Sequence, residues 1–325
     1  MIEPGGYVLI TAFILDLILG DPRHLPHPVV GMGKAIQFFE PRFRRMFKNP
    51  LTAGIFFTGF LVGTVYGMAW ILTGWALWIH PLLGAGVQTV LLFYCFSIKG
   101  LKDAAMAVAA SLSIKDLKTA RKKLSLIVGR DTRTLDESGV TRAAVETVAE
   151  NFVDGFLAPL FWALVLGVPG AVAYKMINTL DSMVGYQNKT YQLFGRASAR
   201  LDDAANFIPA RLSVFVIAFA AACLPKISGT GAWRTGWSEG RRHKSPNAGF
   251  PEAAFAGALR IRLGGPSTYH GRRVDKPYIG SGFNDPDISA VDAACQLMQT
   301  ASIIGLLGSL GLTALNLIAF RGFSR

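Results

Sequence analysis

The chain has 325 residues, 51% of them hydrophobic and 17% charged, with a net charge of +12. Soluble domains carry roughly 25% charged residues, so an ordinary soluble enzyme is not expected, and the apolar content argues equally against disorder. The basic residues lie between apolar blocks and form no separate basic domain, which points to membrane topology, anionic lipid or an anionic substrate and away from nucleic acid.

No basic stretch precedes the first apolar run, so a cleaved signal peptide is not expected. That run, Tyr7–Gly20, is short for a span and carries Asp16. The Pro-rich segment Gly20-Asp-Pro-Arg-His-Leu-Pro-His-Pro28 follows; a rigid membrane-exit loop fits it better than metal ligation by His24 and His27. From Leu51 to Ile98 there is no Asp, Glu, Lys or Arg, and these 48 residues exceed one span. His80-Pro81 and Gly84-Ala85-Gly86 break them into a transmembrane hairpin, Leu51–Ile79 and Leu82–Ile98. Residues 21–50 hold six Lys/Arg, residues 99–154 hold ten and the tip at 80–86 none, so both flanks are expected in the cytoplasm.

Within the polar region 99–154, Ala104–Leu112 and Ile114–Ile127 have helical apolar spacing, with Lys115, Lys118, Arg121, Lys122 and Lys123 between. That cationic face meets headgroups or water, or one of its residues binds phosphate. Gly155–Tyr174 is charge-free but contains Pro159 and the break Gly167-Val-Pro-Gly170, and Phe207–Leu224 has Pro209 and Arg211 near its start. Each is a span, a half-span or a re-entrant piece. If both cross, residues 175–206 lie outside; if both re-enter, they lie inside, and the chemistry below prefers that solution or a cavity open to the cytoplasm. The loop 226–292 is polar, and ten Lys/Arg in residues 226–294 place it in the cytoplasm. Ala293–Phe320, 28 residues without charge, is a further span. Cys95, Cys223 and Cys295 sit in apolar sequence and read as small hydrophobes, not as a disulfide framework or zinc site. The expected architecture is all-α: a polytopic integral membrane protein with broken or re-entrant helices and cytoplasmic helical loops, forming one membrane-embedded domain over residues 1–325.

Of the 21 acidic residues, nine fall between Asp131 and Asp203, several against apolar sequence where a bare charge is expensive. Glu146, Glu150 and Asp154 recur every four residues and share one helical face, while Val145, Val148, Ala149 and Phe152 form another. Like charges so spaced cost about 0.2–0.5 kcal/mol per pair, which Arg142 or a bound Mg²⁺ would offset; a solvated acidic face also fits. Asn178, Asp181 and Ser182 stand at i, i+3 and i+4, a turn after Lys175, and are either functional or helix-packing polar groups. Asp202 or Asp203 with Asn206 suits a hard cation, and Arg200 and Arg211 suit phosphate; an acidic N-cap is the alternative. Ser245 and Asn247 form a turn into a helix starting near Pro251, whose free N–H groups suit an anion; a plain structural turn fits as well. The chain has no Walker loop, no dinucleotide fingerprint, no HExxH and no GxSxG.

The segment Leu19-Gly-Asp-Pro-Arg-His-Leu-Pro-His-Pro-Val29 resembles the opening of the CobD/CbiB family of cobalamin-biosynthesis proteins. So do Ser125-Leu-Ile-Val-Gly-Arg-Asp-Thr132, the run Val145–Gly155, the run Tyr174–Tyr186, Ser198-Ala-Arg-Leu-Asp-Asp203 with Asn206 and Pro209-Ala-Arg211, and the run Ser245–Ala254. The resemblance covers about residues 15–290, in order. It implies a membrane-bound adenosylcobinamide-phosphate synthase of the cell (inner) membrane. Such an enzyme joins a propionate carboxyl of adenosylcobyric acid to (R)-1-amino-2-propanol or its phosphate, with ATP and Mg²⁺. The implied partners are the corrinoid, the aminopropanol and the lipid bilayer, with a second copy of the chain or other late enzymes of the pathway beside them.

Mapped onto this chemistry, Glu150, Asp154, Asp181, Asp202, Asp203 and Asn206 are expected at the metal. Arg200, Arg211 and Lys175 are expected to face phosphate or the corrin carboxylate. Asn178, Ser182, Ser245 and Asn247 would orient substrate. Glu146, Lys175 and Asp181 are expected to be catalytic, with Glu146 as the base. Two other activities fit such polar clusters beside spans: an intramembrane Mg²⁺-dependent prenyltransferase, and a non-catalytic transporter or sensor.

Overall fold

A computed structural model describes residues 4–21, 27–186, 188–269 and 271–323. The chain runs through helices α1 (Gly6–Leu19), α2 (Pro28–Met46), α3 (Pro50–Ile79), α4 (Pro81–Phe93), α5 (Ile98–Ser113), α6 (Leu117–Leu124) and α7 (Glu137–Phe152). A five-residue π-turn, Val153–Leu157, leads into α8 (Ala158–Val184), followed by α9 (Arg196–Cys223), α10 (Gly229–Glu239) and α11 (Gly249–Leu259). Two short antiparallel pairs come next: β1 (Leu263–Gly264) with β4 (Tyr278–Ile279), and β2 (Ser267–Tyr269) with β3 (Arg272–Val274). The last helix is α12 (Ser289–Phe323). The all-α class holds, with these small pairs added in the polar loop 226–292.

Three helix starts repeat one device, a side-chain acceptor followed by proline. His27 Nδ1 accepts the N–H of Val29 at 3.2 Å, Asn49 Oδ1 that of Leu51 at 2.9 Å, and His80 Nδ1 that of Leu82 at 3.2 Å. Each cap satisfies an orphan N–H, and proline tolerates the first turn because it has none to lose. The break at His80-Pro81 is therefore a capped restart, and His27 is a cap; His24 lies outside the described residues.

Five helical stretches are long and apolar enough to cross a membrane: Pro50–Ile79, Pro81–Ser113, Glu137–Val184, Arg196–Cys223 and Ser289–Leu315. The outer face of α3 exposes Phe56, Phe60, Met68, Trp70, Trp75 and Trp78, a surface suited to acyl chains and the headgroup boundary. The chain is accordingly a membrane protein. The expected helix Leu82–Ile98 stops at Phe93 and restarts at Ile98. The expected Ile114–Ile127 is interrupted at Lys115, which sits at φ 59, and restarts under the Asp116 cap. The segments Gly155–Tyr174 and Phe207–Leu224 belong to longer helices, both of spanning length. The break at Gly167-Val-Pro-Gly170 survives as a kink, Gly167 taking φ 74.

Contacts divide the chain into two compact units. The first comprises Met1–Ser97, Asp154–Asn206 and Gly308–Arg325; the second comprises Ile98–Val153 and Phe207–Leu307. In the first, α3 packs on α2, α4 and α8, and α1 packs on α4. In the second, α7 packs on α5, α6 and α11, and α11 lies along α10. The α10–α11 approach is backbone on backbone: a Cβ on Gly231 would lie 2.3 Å from the Gly257 carbonyl oxygen, and one on Gly257 2.2 Å from that of Gly231. Glycine at both positions removes the side chains that would hold the helices apart.

Candidate active site

In the first unit, the π-turn places Asp154 opposite α8. Such turns are single-turn insertions, frequent at functional sites, that re-aim the side chains they carry. Tyr174 and Asn178 stand one turn apart on α8, and Asp202 and Asn206 one turn apart on α9. The Tyr174 hydroxyl is 3.1 Å from Asp154 Oδ1 and 2.8 Å from Asn206 Oδ1. Asn178 Nδ2 donates to Asp154 Oδ2 at 3.2 Å, and Asn206 Nδ2 donates to Asp202 Oδ2 at 3.1 Å. Asp202 Oδ1 is buried without a hydrogen-bond partner. Trp162 clamps the two helices by donating to the Ala205 carbonyl at 3.1 Å.

Four of the predicted residues, Asp154, Asn178, Asp202 and Asn206, thus converge, with Tyr174 as an unforeseen hub. Lys175 and Asp181 lie within electrostatic reach of Asp154. Asp203, half-buried, senses the charge of Arg200 and acts in turn on Asp202. Ser182 and Arg200 are exposed. Among the described residues no three of His, Cys, Asp and Glu gather where a metal ion could be held. The donor set at Asp154 and Asp202 nevertheless fits Mg²⁺. It is made of oxygens, one of them is a buried orphan, and Mg²⁺ takes one or two carboxylates while keeping waters and substrate oxygens for the rest.

In the second unit, Glu146 is buried on α7 and both of its oxygens are taken. Oε1 accepts the Gly264 backbone N–H at 2.6 Å, and Oε2 accepts from Arg130. A carboxylate so held is a strut. Glu146, expected as the base, thus has each oxygen bonded to a donor of the fold.

Glu150, expected at the metal, lines instead a cavity of about 160 Å³ with Arg130, Asn151, His243, Glu252 and Lys276. Burial pushes the Glu252 carboxyl well above its usual range, the charges of Glu146 and Glu150 push it further, and Lys276 and Arg130 oppose. Burial pulls His243 down to about 4, helped by the charge of Lys276. Its Nδ1 accepts the Ser245 N–H at 3.0 Å, so the neutral ring carries its proton on Nε2.

Ser245 and Asn247 form the expected turn into α11, but the turn closes on itself. Ser245 Oγ accepts the N–H groups of Asn247 and Ala248 at 3.3 and 3.2 Å. Arg211 is likewise occupied. It donates to Phe207 O at 2.6 Å and to Asn247 Oδ1 at 3.3 Å, and lies over the Phe207 and Phe250 rings.

A second cavity of this unit, about 440 Å³, is lined by Lys118, Arg121, Lys122, Arg130 and Arg133, with Asp131 as its one acid. Arg130 lines both cavities. The cationic row Lys118–Lys123 was visible in the sequence, whereas Arg130, His243, Glu252 and Lys276 were not singled out. Their common feature is placement: all four line the same small cavity.

The sequence pattern of the CobD/Cbib protein family matches residues 9–298. The cobalamin biosynthesis protein CobD of Geobacter metallireducens is 47% identical over 300 residues, 92% of this chain and 94% of that protein. CobD of Klebsiella pneumoniae is 46% identical over 300 residues, covering 91% and 93% of the two chains. The cobalamin biosynthesis protein CbiB of Salmonella typhimurium is 44% identical over 299 residues, with the same coverage. No solved structure matches the chain significantly.

Proposed function

Because the chain belongs to the CobD/CbiB family and serves cobalamin biosynthesis, we propose that it is the amide-forming enzyme that joins a propionate carboxyl of adenosylcobyric acid to (R)-1-amino-2-propanol or its phosphate. ATP drives the reaction and Mg²⁺ assists it. The enzyme works in the cell membrane, with its site open to the cytoplasm, where ATP is found.

A carboxylate is a poor acyl donor because oxide is a poor leaving group. Transfer of the γ-phosphoryl group of ATP to the propionate oxygen yields an acyl phosphate and ADP. The neutral amine then attacks the acyl carbon, phosphate leaves with its electron pair, and the nitrogen gives up a proton to complete the amide. The observation that supports this reading is the position of Arg130, which lines a cationic pocket suited to a polyphosphate and also a small cavity of mixed charge. Glu146 holds Arg130 in place, and a guanidinium so oriented suits phosphoryl oxygens. Within the first unit, Asp154 and Asp202 would hold Mg²⁺, which when bound would supply positive charge for oxygen ligands there. Tyr174 and Asn178 fix the Asp154 carboxylate, so that it need not reorganise.

The test is direct. Purified protein in lipid nanodiscs is incubated with adenosylcobyric acid, aminopropanol phosphate and Mg-ATP, and products are read by mass spectrometry. An amide product formed with release of ADP supports the reading. Consumption of an isoprenyl diphosphate without ATP, or substrate binding without any covalent product, overturns it in favour of a prenyltransferase or a transporter.

A further inference from the structure

Helices α3, α8 and α9 of the first unit enclose an apolar groove of about 480 Å³. Its walls include Gly63 and Tyr66 on α3, Gly170, Ala173 and Tyr174 on α8, and Ala204 on α9, and no charged residue is among the described residues that line it. Small side chains make the space: a Cβ on Gly63 would meet nothing within 4 Å. The polar atoms of two wall residues are turned elsewhere. Trp162 donates to the Ala205 carbonyl, and the Tyr174 hydroxyl lies at Asp154 and Asn206. A nucleotide or a corrinoid would bring many polar groups to a wall that pairs few of them, which costs free energy. A hydrocarbon chain brings none.

The groove is continuous with the lipid-facing surface. Gly63 and Ala204 are exposed, and Phe60, one turn before Gly63, belongs to the outer face of α3. Along α8 the wall runs from Trp162 to Ile177, about 22 Å at the helical rise per residue. Spread over that length, 480 Å³ makes a channel on the order of 5 Å across, whereas a helix with its side chains is about 10 Å across. The channel is too narrow for a helix of a second copy and matches one extended chain. Left empty, it would forfeit the dispersion contacts that close packing supplies. We propose that this groove seats an acyl chain of one diacyl phospholipid, held apart from the bulk bilayer. The inference needs no amide-forming activity. It sets the lipid against the ring of Tyr174, one side chain away from Asp154.

The full chain is purified in mild detergent and weighed by native mass spectrometry, which reads retained phospholipid and oligomeric state together. Wild type is expected to keep one phospholipid. Gly63→Phe, which fills the groove from α3 where the space is open, is expected to lose it, and so is Ala204→Phe, which fills it from α9. Gly74→Phe stands on the same helix as Gly63, at a position whose Cβ also meets nothing within 4 Å, but outside the groove, and is expected to keep the lipid. Thermal unfolding gives a second readout. Palmitoyl-oleoyl phosphatidylglycerol added to delipidated protein should raise the Tm of wild type and of Gly74→Phe, and leave that of Gly63→Phe in place. Equal lipid retention in wild type, Gly63→Phe and Ala204→Phe overturns the proposal, as does a wild type that carries no phospholipid and gains no Tm from it. A lipid-free wild-type dimer that Gly63→Phe dissociates overturns it in favour of a second copy seated on α3.

Discussion

Glu146 accepts the backbone N–H of Gly264 at 2.6 Å across 118 residues of sequence. With Arg130 on its other oxygen, and Arg130 within 3.4 Å of Ser267 Oγ, the carboxylate clips α7 to the start of the β-pairs. Gly264 sits at φ +76, where a Cβ would press to 2.5 Å from the Pro277 carbonyl oxygen, so the N–H is presented by a backbone that tolerates little else. Glu146→Ala strands a largely buried guanidinium and an amide, and is expected to cost about 3–5 kcal/mol. Glu146→Gln keeps an acceptor for Gly264 and should cost about 1–3 kcal/mol. Thermal unfolding in detergent ranks the two. Glu146→Gln should also retain turnover within about tenfold of wild type, whereas loss of a true base would cost 10²–10⁴-fold. A loss on that larger scale, without unfolding, returns Glu146 to the chemistry.

Tyr174 presents one hydroxyl proton to two acceptors, Asp154 and Asn206. The network is therefore closed only with a proton or a cation supplied elsewhere, or with the Asn206 amide turned. Tyr174→Phe leaves both oxygens short of that donor and is expected to destabilise the protein by about 1–3 kcal/mol. Turnover should fall further than stability does, because Asp154 loses the Tyr174 hydroxyl and keeps the Asn178 hydrogen bond. Asp181, whose charge reaches both Asp154 and Asp202, gives a further test. Asp181→Ala should abolish amide formation while leaving a folded, membrane-inserted protein. Near-normal turnover in that variant removes Asp181 from the site.

Hydropathy and charge spacing carried the spans, the His80-Pro81 restart and the kink at Gly167, because each follows from local rules of burial, capping and backbone freedom. Asn178 on α8 and the Asp202–Asn206 pair on α9 were also legible as parts of polar helical faces, since a turn of helix fixes which side chains share a side. Pattern cannot say which face meets which. Tyr174 was hidden because an aromatic in an apolar run reads as core, and its role lies in the hydroxyl alone. Glu252 and His243 were hidden for a related reason. A carboxyl inside Phe-Pro-Glu-Ala-Ala becomes informative only once α11 is known to be buried along nearly its whole length. The partners of Glu146 were hidden because the sequence does not show that Gly264 and Arg130 come to it.

The cationic pocket predicts how ATP is held. Lys118 and Lys122 are exposed and line it, so removing them tests charge with little risk to the fold. Each solvent-exposed cation is worth up to about 1 kcal/mol, so the double alanine variant is expected to raise the KM for ATP by roughly five- to thirtyfold, with kcat little changed. The effect should shrink as ionic strength rises, because salt screens exposed charges first. Vesicle binding separates the other source of phosphate. If the row serves lipid headgroups, the variant loses affinity for anionic vesicles as a detergent-solubilised protein while its KM for ATP stays at the wild-type value.

His243 makes stability depend on pH in a stated direction. Its folded pKa of about 4 lies below the roughly 6.5 of an unfolded histidine, so in that window the unfolded chain binds more protons. Acidification from pH 6.5 towards 4 therefore favours unfolding, by on the order of 3 kcal/mol at most for one group. Glu252 acts oppositely: with its folded pKa raised, its contribution is full below the unfolded value and is lost as pH rises through the folded one. Subtracting a His243→Asn variant isolates the histidine, since the Asn oxygen can take the place of Nδ1 opposite the Ser245 N–H. Between pH 7 and pH 4.5 the wild type should lose more apparent Tm than His243→Asn does. Parallel Tm curves for the two proteins would show that the ring is protonated alike in the folded and unfolded chains, and that burial beside Lys276 does not keep it neutral.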